Sequence, residues 1–106
     1  MKRVHDKHIT EMLKHPDIIG LDGIVLSAKE SELREGNQII GEIDNMYISK
    51  HGDIYLAEYK CTHSPKQKEK AEHQLNRSRQ ILYETFGIMS ECYYVHGNYK
   101  FVRVHK

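Results

Sequence analysis

Ile43-Asp44-Asn45-Met46-Tyr47-Ile48-Ser49-Lys50-His51-Gly52-Asp53-Ile54-Tyr55-Leu56-Ala57-Glu58-Tyr59-Lys60 reads as two apolar strands joined by a short polar turn. Residues 43–48 form one strand and residues 53–62 the other. A three-residue hairpin loop is usually a type I turn followed by a left-handed residue, where glycine carries no Cβ penalty. Assigning the loop to Lys50, His51 and Gly52 pairs Ser49 with Asp53. Counting back places Asp44 opposite Glu58 and Glu42 opposite Lys60. Directly opposed positions have Cβ atoms roughly 4.5–5.5 Å apart. A loop one residue shorter or longer would put Asp44 and Glu58 on opposite faces.

Two bare carboxylates held that close repel, so a cation between them is the natural complement. Mg²⁺ takes hard oxygen ligands and keeps several waters. Lys60 lies one step beyond Glu58 on the same face, because side chains alternate along a strand. It can touch a metal-bound water or a phosphate. The pattern suits phosphodiester hydrolysis. Cross-strand acid and lysine pairs also occur as solvated ion pairs worth little. What sets this one apart is its company: a preceding helix that carries an acid and a following polar helix.

The rest of the chain bounds the reading. A single domain over 1–106 is expected, small enough to bury roughly 60–70% of the surface its unfolded form exposes. Hydrophobic residues are 39% of the 106, as in a soluble globular chain. Net charge is only +1, so any nucleic-acid contact needs a local basic patch rather than a global field. Cys61 and Cys92 do not make a disulfide framework and are expected to pack as small hydrophobes in strands. No apolar region follows Met1-Lys2-Arg3 as in a signal peptide, and no aliphatic run approaches a membrane span. A cytoplasmic location is the default expectation.

Residues 5–14 read as a short helix with Ile9, Met12 and Leu13 on one stripe and Glu11 beside it, ended by Pro16. Residues 23–28 read as a strand, and the charged stretch 30–37 as a loop or strand edge. Ser64 as N-cap, Pro65 at the first helical position and Gln67 three residues on open a second helix. It runs to Phe86 before Gly87, with Ala71, Leu75, Ser78, Leu82 and Phe86 in line. Strands at 91–95 and 99–104 surround His96-Gly97-Asn98. The order, helix, three strands, helix, strands, predicts an α/β architecture: a mixed central sheet flanked by helices.

Glu11, then Asp44, then Glu58-Tyr59-Lys60, then Gln74 resemble the four motifs of the PD-(D/E)XK nuclease superfamily in order. Three stretches resemble the nuclease domain of archaeal NucS-type endonucleases: Glu11-Met12-Leu13-Lys14-His15-Pro16 with Gly20-Leu21-Asp22, Gly41-Glu42-Ile43-Asp44, and Ala71-Glu72-His73-Gln74-Leu75. The resemblance spans residues 8–88. Ile43 stands where the namesake proline would be, and the separate DNA-binding and dimerising domain of the NucS type has no counterpart here. The size is similar to that of the archaeal Holliday junction resolvases.

The resemblance implies a restriction-endonuclease-like αβββαβ core and a Mg²⁺-dependent endonuclease acting on DNA, with Mn²⁺ as a substitute. Asp44, Glu58 and the Tyr59 carbonyl would hold the ion, and Glu11 would reach it through a water or a second ion. Lys60 would orient the attacking water or steady the developing negative charge, and Gln74 would bond that water, the lysine or a phosphate. Glu11 and Gln74 read equally as solvated helix residues. Glu42 is a neighbour whose charge raises cation affinity. Lys66, Lys68, Lys70, Arg77 and Arg79 are candidate phosphate contacts, or else one solvated face of a charged helix. Tyr93 and Tyr94 suit strand packing, and neither His8-Glu11-His15 nor Cys61-His63-Cys92 has a zinc spacing. A homodimer would suit cutting both strands of a symmetric substrate. Two other readings remain: a non-catalytic binding module on the same fold, and a nuclease subunit whose larger partner finds the target.

Overall fold

The computed structural model describes residues 2–105, apart from the side chains of 2–5, 30, 31 and 33. Helix α1 (Lys2–Lys14) stops where Pro16 removes a backbone donor, and Pro16–Ile19 continues as a single 3-10 turn. Strands β1 (Ile24–Glu35), β2 (Gln38–Ser49) and β3 (Ile54–Lys60) follow as an antiparallel meander. Helix α2 (Pro65–Phe86) then crosses over to β4 (Ser90–His96), which pairs parallel to β3, and β5 (Lys100–Val104) closes the sheet antiparallel to β4. The five strands lie in chain order in one mixed sheet. This is the expected α/β class with helices on the sheet.

The helices sit on opposite faces, which gives two cores. Ile9, Met12, Ile19 and Leu21 pack on Tyr47, Ala57, Tyr59 and Val95 beneath α1. Ala71, Leu75 and Leu82 of α2 pack on Ile43, Leu56, Cys92, Tyr94 and Val104. Period 2 along β3 and β4 therefore decides everything downstream. Leu56, Glu58 and Lys60 face α2, as do Cys92, Tyr94 and His96, while Ala57, Tyr59 and Val95 face α1.

Local signals held where the physics is local. Ser64 Oγ accepts the Gln67 N–H at 3.2 Å, and Gly87, at φ 69°, lets its N–H and that of Ile88 reach the Tyr83 and Leu82 carbonyls. The hairpin loop closes with the Ser49 N–H on the Asp53 carbonyl at 3.0 Å, and Gly52 takes the left-handed φ of 86°. Of the two expectations for the charged stretch 30–37, the strand edge is met and the loop is not: residues 29–35 pair with 38–45 around Gly36-Asn37, and 34–39 at the end of this hairpin are exposed. Two features differ from expectation. Cys61 is exposed just past β3, whereas Cys92 is buried as expected. Phe86, at the end of α2, is 49% exposed instead of closing the stripe.

The α1 face holds a buried polar chain. Asn45 Nδ2 donates to the Ile9 carbonyl at 3.2 Å and to Tyr47 Oη at 2.9 Å, and that hydroxyl donates to the Met12 carbonyl at 3.0 Å. It fastens α1 to β2 beside the site. Tyr47→Phe strips a partner from both the amide and the carbonyl, and should cost about 1–3 kcal/mol in urea unfolding.

Candidate metal and phosphodiester site

The β2–β3 ladder runs Ile48↔Ile54 to Asn45↔Ala57, the register the loop length predicts. One step further, Asp44 faces Glu58, and there the main-chain ladder gives way to side chains. The Asp44 N–H donates to Glu58 Oε1 at 3.1 Å, and the Tyr59 N–H donates to Asp44 Oδ2 at 3.0 Å. Each carboxylate thus caps the other strand where β2 and β3 part. The N–H and C=O of one residue in an extended strand point the same way, so the Tyr59 carbonyl faces this gap as well.

Glu58 is 4% exposed. Burial, and next the Asp44 charge, push its pKa from the usual 4.5 up to about 8; the Asp44 N–H and the Lys60 charge pull the other way. An acid pair that repels this strongly and presents hard oxygens fits a divalent cation such as Mg²⁺. Among the described residues no three His, Cys, Asp or Glu side chains gather as a metal-binding group. Asp44 and Glu58 are therefore a set of two carboxylates, not a larger acid cluster.

Glu11 lies on α1, across the sheet from α2, where its charge raises the Tyr99 pKa after burial does so first. It is not drawn into a three-carboxylate group. The Tyr59 side chain also points to the α1 side, stacked at 4.7 Å on His8 with its hydroxyl donating to the Gly97 carbonyl at 2.6 Å. Only its backbone belongs to the gap.

Lys60 opens into a groove of about 650 Å³ lined by Lys66, Glu69, Lys70, His73 and Gln74. A second groove, lined by Ile39, Ile40, Gly41, Glu42, Arg77 and Ser78, also touches Gln74. Gln74 is thus the ridge between them. Lys68 lies outside both and stands 3.9 Å from Glu72 in an exposed i,i+4 pair. A cavity of similar size at the other end of β3 holds Asp53, Arg79, Glu91 and Arg103. Its Arg103 and Glu91 are already paired at 3.1 Å, and it contains neither Lys60 nor Gln74.

Arg79 corrects the expectation of a phosphate contact. It is 7% exposed, its Nε donates to Cys92 Sγ at 3.2 Å, and its Nη2 donates to the Val104 carbonyl. The reason is helical period: 79 is Leu75 plus four, on the stripe that faces the sheet. Arg79→Met leaves Val104 without that donor and should lower stability by about 1–3 kcal/mol in thermal unfolding. DNA affinity, measured by gel shift across salt concentrations, should not change with it.

A ring cluster beside Lys60 has no motif in the sequence to mark it. The parallel register sets Tyr94 next to Glu58 and His96 next to Lys60. His63 stacks on His96 at 4.0 Å, and its Nδ1 lies 2.9 Å from Tyr94 Oη. Burial lowers the His96 pKa, helped by the charges of His63, Lys100 and Lys68. The alternation of Cys92, Tyr94 and His96 along one strand was the only hint in the sequence.

No protein-family model matches the chain, and no curated protein does. Among solved structures, its fold is similar to that of a repair endonuclease from Pyrococcus abyssi, with TM-score 0.63 and 22% identity over 84% of this chain and 35% of that one. It is also similar to EndoMS in a complex with double-stranded DNA, with TM-score 0.53 and 20% identity over 84% of this chain and 33% of that one. The chain thus spans about a third of each nuclease. The likeness is one of fold: a mixed sheet flanked by helices, as in these nucleases.

Proposed function

We propose that this chain is a PD-(D/E)XK-type nuclease domain that hydrolyses DNA phosphodiester bonds with the help of a divalent cation. The observation that carries this reading is the reciprocal lock of Asp44 and Glu58 at the parting of β2 and β3, with Lys60 next on the α2 face. The nuclease-like fold supports it. Asp44, Glu58 and the Tyr59 carbonyl would hold Mg²⁺ or Mn²⁺. A bound cation supplies Lewis acidity toward the phosphoryl oxygen and lowers the pKa of bound water. Lys60 positions the attacked phosphate and offsets the charge that develops on it. Gln74 hydrogen-bonds a phosphate or the water, and Lys66 and Lys70 contact flanking phosphates.

Labelled single-stranded, duplex, flap and four-way-junction DNA, each with Mg²⁺, Mn²⁺ or EDTA, tests the reading. Metal-dependent cutting of at least one substrate is expected. No cutting of any of them, by a folded protein, would count against it. No helix among the described residues is long and apolar enough to cross a membrane.

A further inference from the structure

His63 sits in the short connection between β3 and α2, three residues past Lys60, and is exposed. An exposed imidazole in a loop is normally free to rotate, but this one is held twice. One face lies on His96 at 4.0 Å with the planes 18° apart. One edge, Nδ1, is 2.9 Å from the hydroxyl of fully buried Tyr94. His96 in turn lies 5.2 Å from the Tyr94 ring. The Tyr94 ring lies 5.8 Å away, and since His63 is itself exposed, the part of its ring not held by His96 and Tyr94 is open to solvent. Capping α2 does not require it, because Ser64 does that itself. The stack is anchored to the site by the backbone, since His96 pairs with Lys60 and Tyr94 with Glu58.

The surroundings are cationic. On one side lies the groove of Lys60, Lys66 and Lys70, in which Glu69 is the one acid. On the other, Lys68 and Lys100 are close enough for their charges to lower the His96 pKa. Phosphates are therefore attracted to either side of an open, pre-stacked ring. Proteins that take single-stranded nucleic acid combine these two features: a basic track and aromatic faces on which bases stack.

We propose that the open face of His63 is a stacking platform for an unpaired nucleotide beside the scissile phosphodiester. This rests on the nuclease reading above and narrows its substrate class. A base inside a duplex already has a neighbour on each side and gains nothing from the platform. A base in a flap, a single-stranded arm or a flipped-out position does gain. The substrate favoured is thus one with an unstacked nucleotide at the cut.

The test uses flap DNA carrying 2-aminopurine at successive positions along its unpaired arm, with Ca²⁺ in place of Mg²⁺ to allow binding without cutting. Wild type should quench the probe at one or two adjacent positions. His63→Ala should lose that quench and bind the flap about ten-fold more weakly, the usual scale for one stacked base. Its affinity for blunt duplex should not change. His63→Phe should restore the quench, because a ring suffices. Equal quenching and affinity in wild type and His63→Ala would overturn the platform, as would rescue by His63→Lys but not by His63→Phe. The underlying reading fails separately. Wild-type quenching lost in His63→Ala, with no cleavage in Mg²⁺, keeps the platform and removes the nuclease, while cleavage without His63-dependent quenching does the reverse.

Discussion

Lys60→Ala should fold like wild type and bind DNA in Ca²⁺ nearly as tightly, yet cut it about 10²–10³-fold more slowly. Three links lead there. Along β3, Lys60 shares a face with Glu58 and Leu56, and its side chain opens into the groove beside the acid pair rather than into a core. Its removal therefore leaves no cavity. Electrostatically, Lys60 is one of the few influences that favour the ionised form of Glu58. Its charge thus acts on the acid pair before any substrate arrives. Chemically, a preorganised charge acts on the transition state, where charge on the phosphoryl group differs most from the ground state. Binding is spread over Lys66, Lys70 and their neighbours and loses only a small share. A cleavage time course, circular dichroism and gel shift separate these effects. A folded Lys60→Ala protein cutting at the wild-type rate would reduce Glu58 and Lys60 to a strand ion pair.

Glu58→Gln should abolish divalent-cation binding and at the same time stabilise the metal-free protein near pH 8. In the folded chain, burial and Asp44 raise the Glu58 pKa from 4.5 to about 8. Between those values the folded state keeps a proton that the unfolded chain has released. Stability from this group is therefore fully present below the unfolded pKa and is lost as pH rises toward 8. The neutral amide has the same shape, can still accept the Asp44 N–H and never ionises. The gain over wild type at pH 8 should be up to about 4 kcal/mol, shrinking toward zero by pH 4.5. In wild type, Mn²⁺ should recover the lost stability by favouring the ionised pair. Thermal melts from pH 4.5 to 8 in EDTA or Mn²⁺, with calorimetric titration of Mn²⁺, measure both halves. A wild-type melting profile flat in pH, or equal Mn²⁺ heats from wild type and variant, would show that Glu58 and Asp44 do not share a cation.

These two results would also locate a trade-off. The acid pair costs the fold stability as pH rises toward 8, and a bound cation would offset that cost. Glu11 tests how far that logic extends. It lies toward the α1 side of the sheet, and Glu11→Gln changes neither the buried pair nor its repulsion.

The amino-acid sequence by itself determined the parts whose physics is contained in a few residues. Loop length and Gly52 determined the β2–β3 register, and that register alone brought Asp44 opposite Glu58. Ser64, Pro65 and Gly87 determined both ends of α2, because caps are local hydrogen bonds. Tertiary structure decided what depends on distant segments. The parallel pairing of β3 with β4 crosses a 22-residue helix and has no turn of its own to set its register, so nothing local announced Tyr94 beside Glu58 or His96 beside Lys60. Charge and spacing put Arg79 with the phosphate contacts, but a full turn beyond Leu75 the helix faces the sheet, where Cys92 and the Val104 carbonyl receive it. The exposed hairpin end at 34–39 carries no apolar alternation to read. Its pairing follows from the tight turn at Gly36 and from the long hairpin of which it is the outer end.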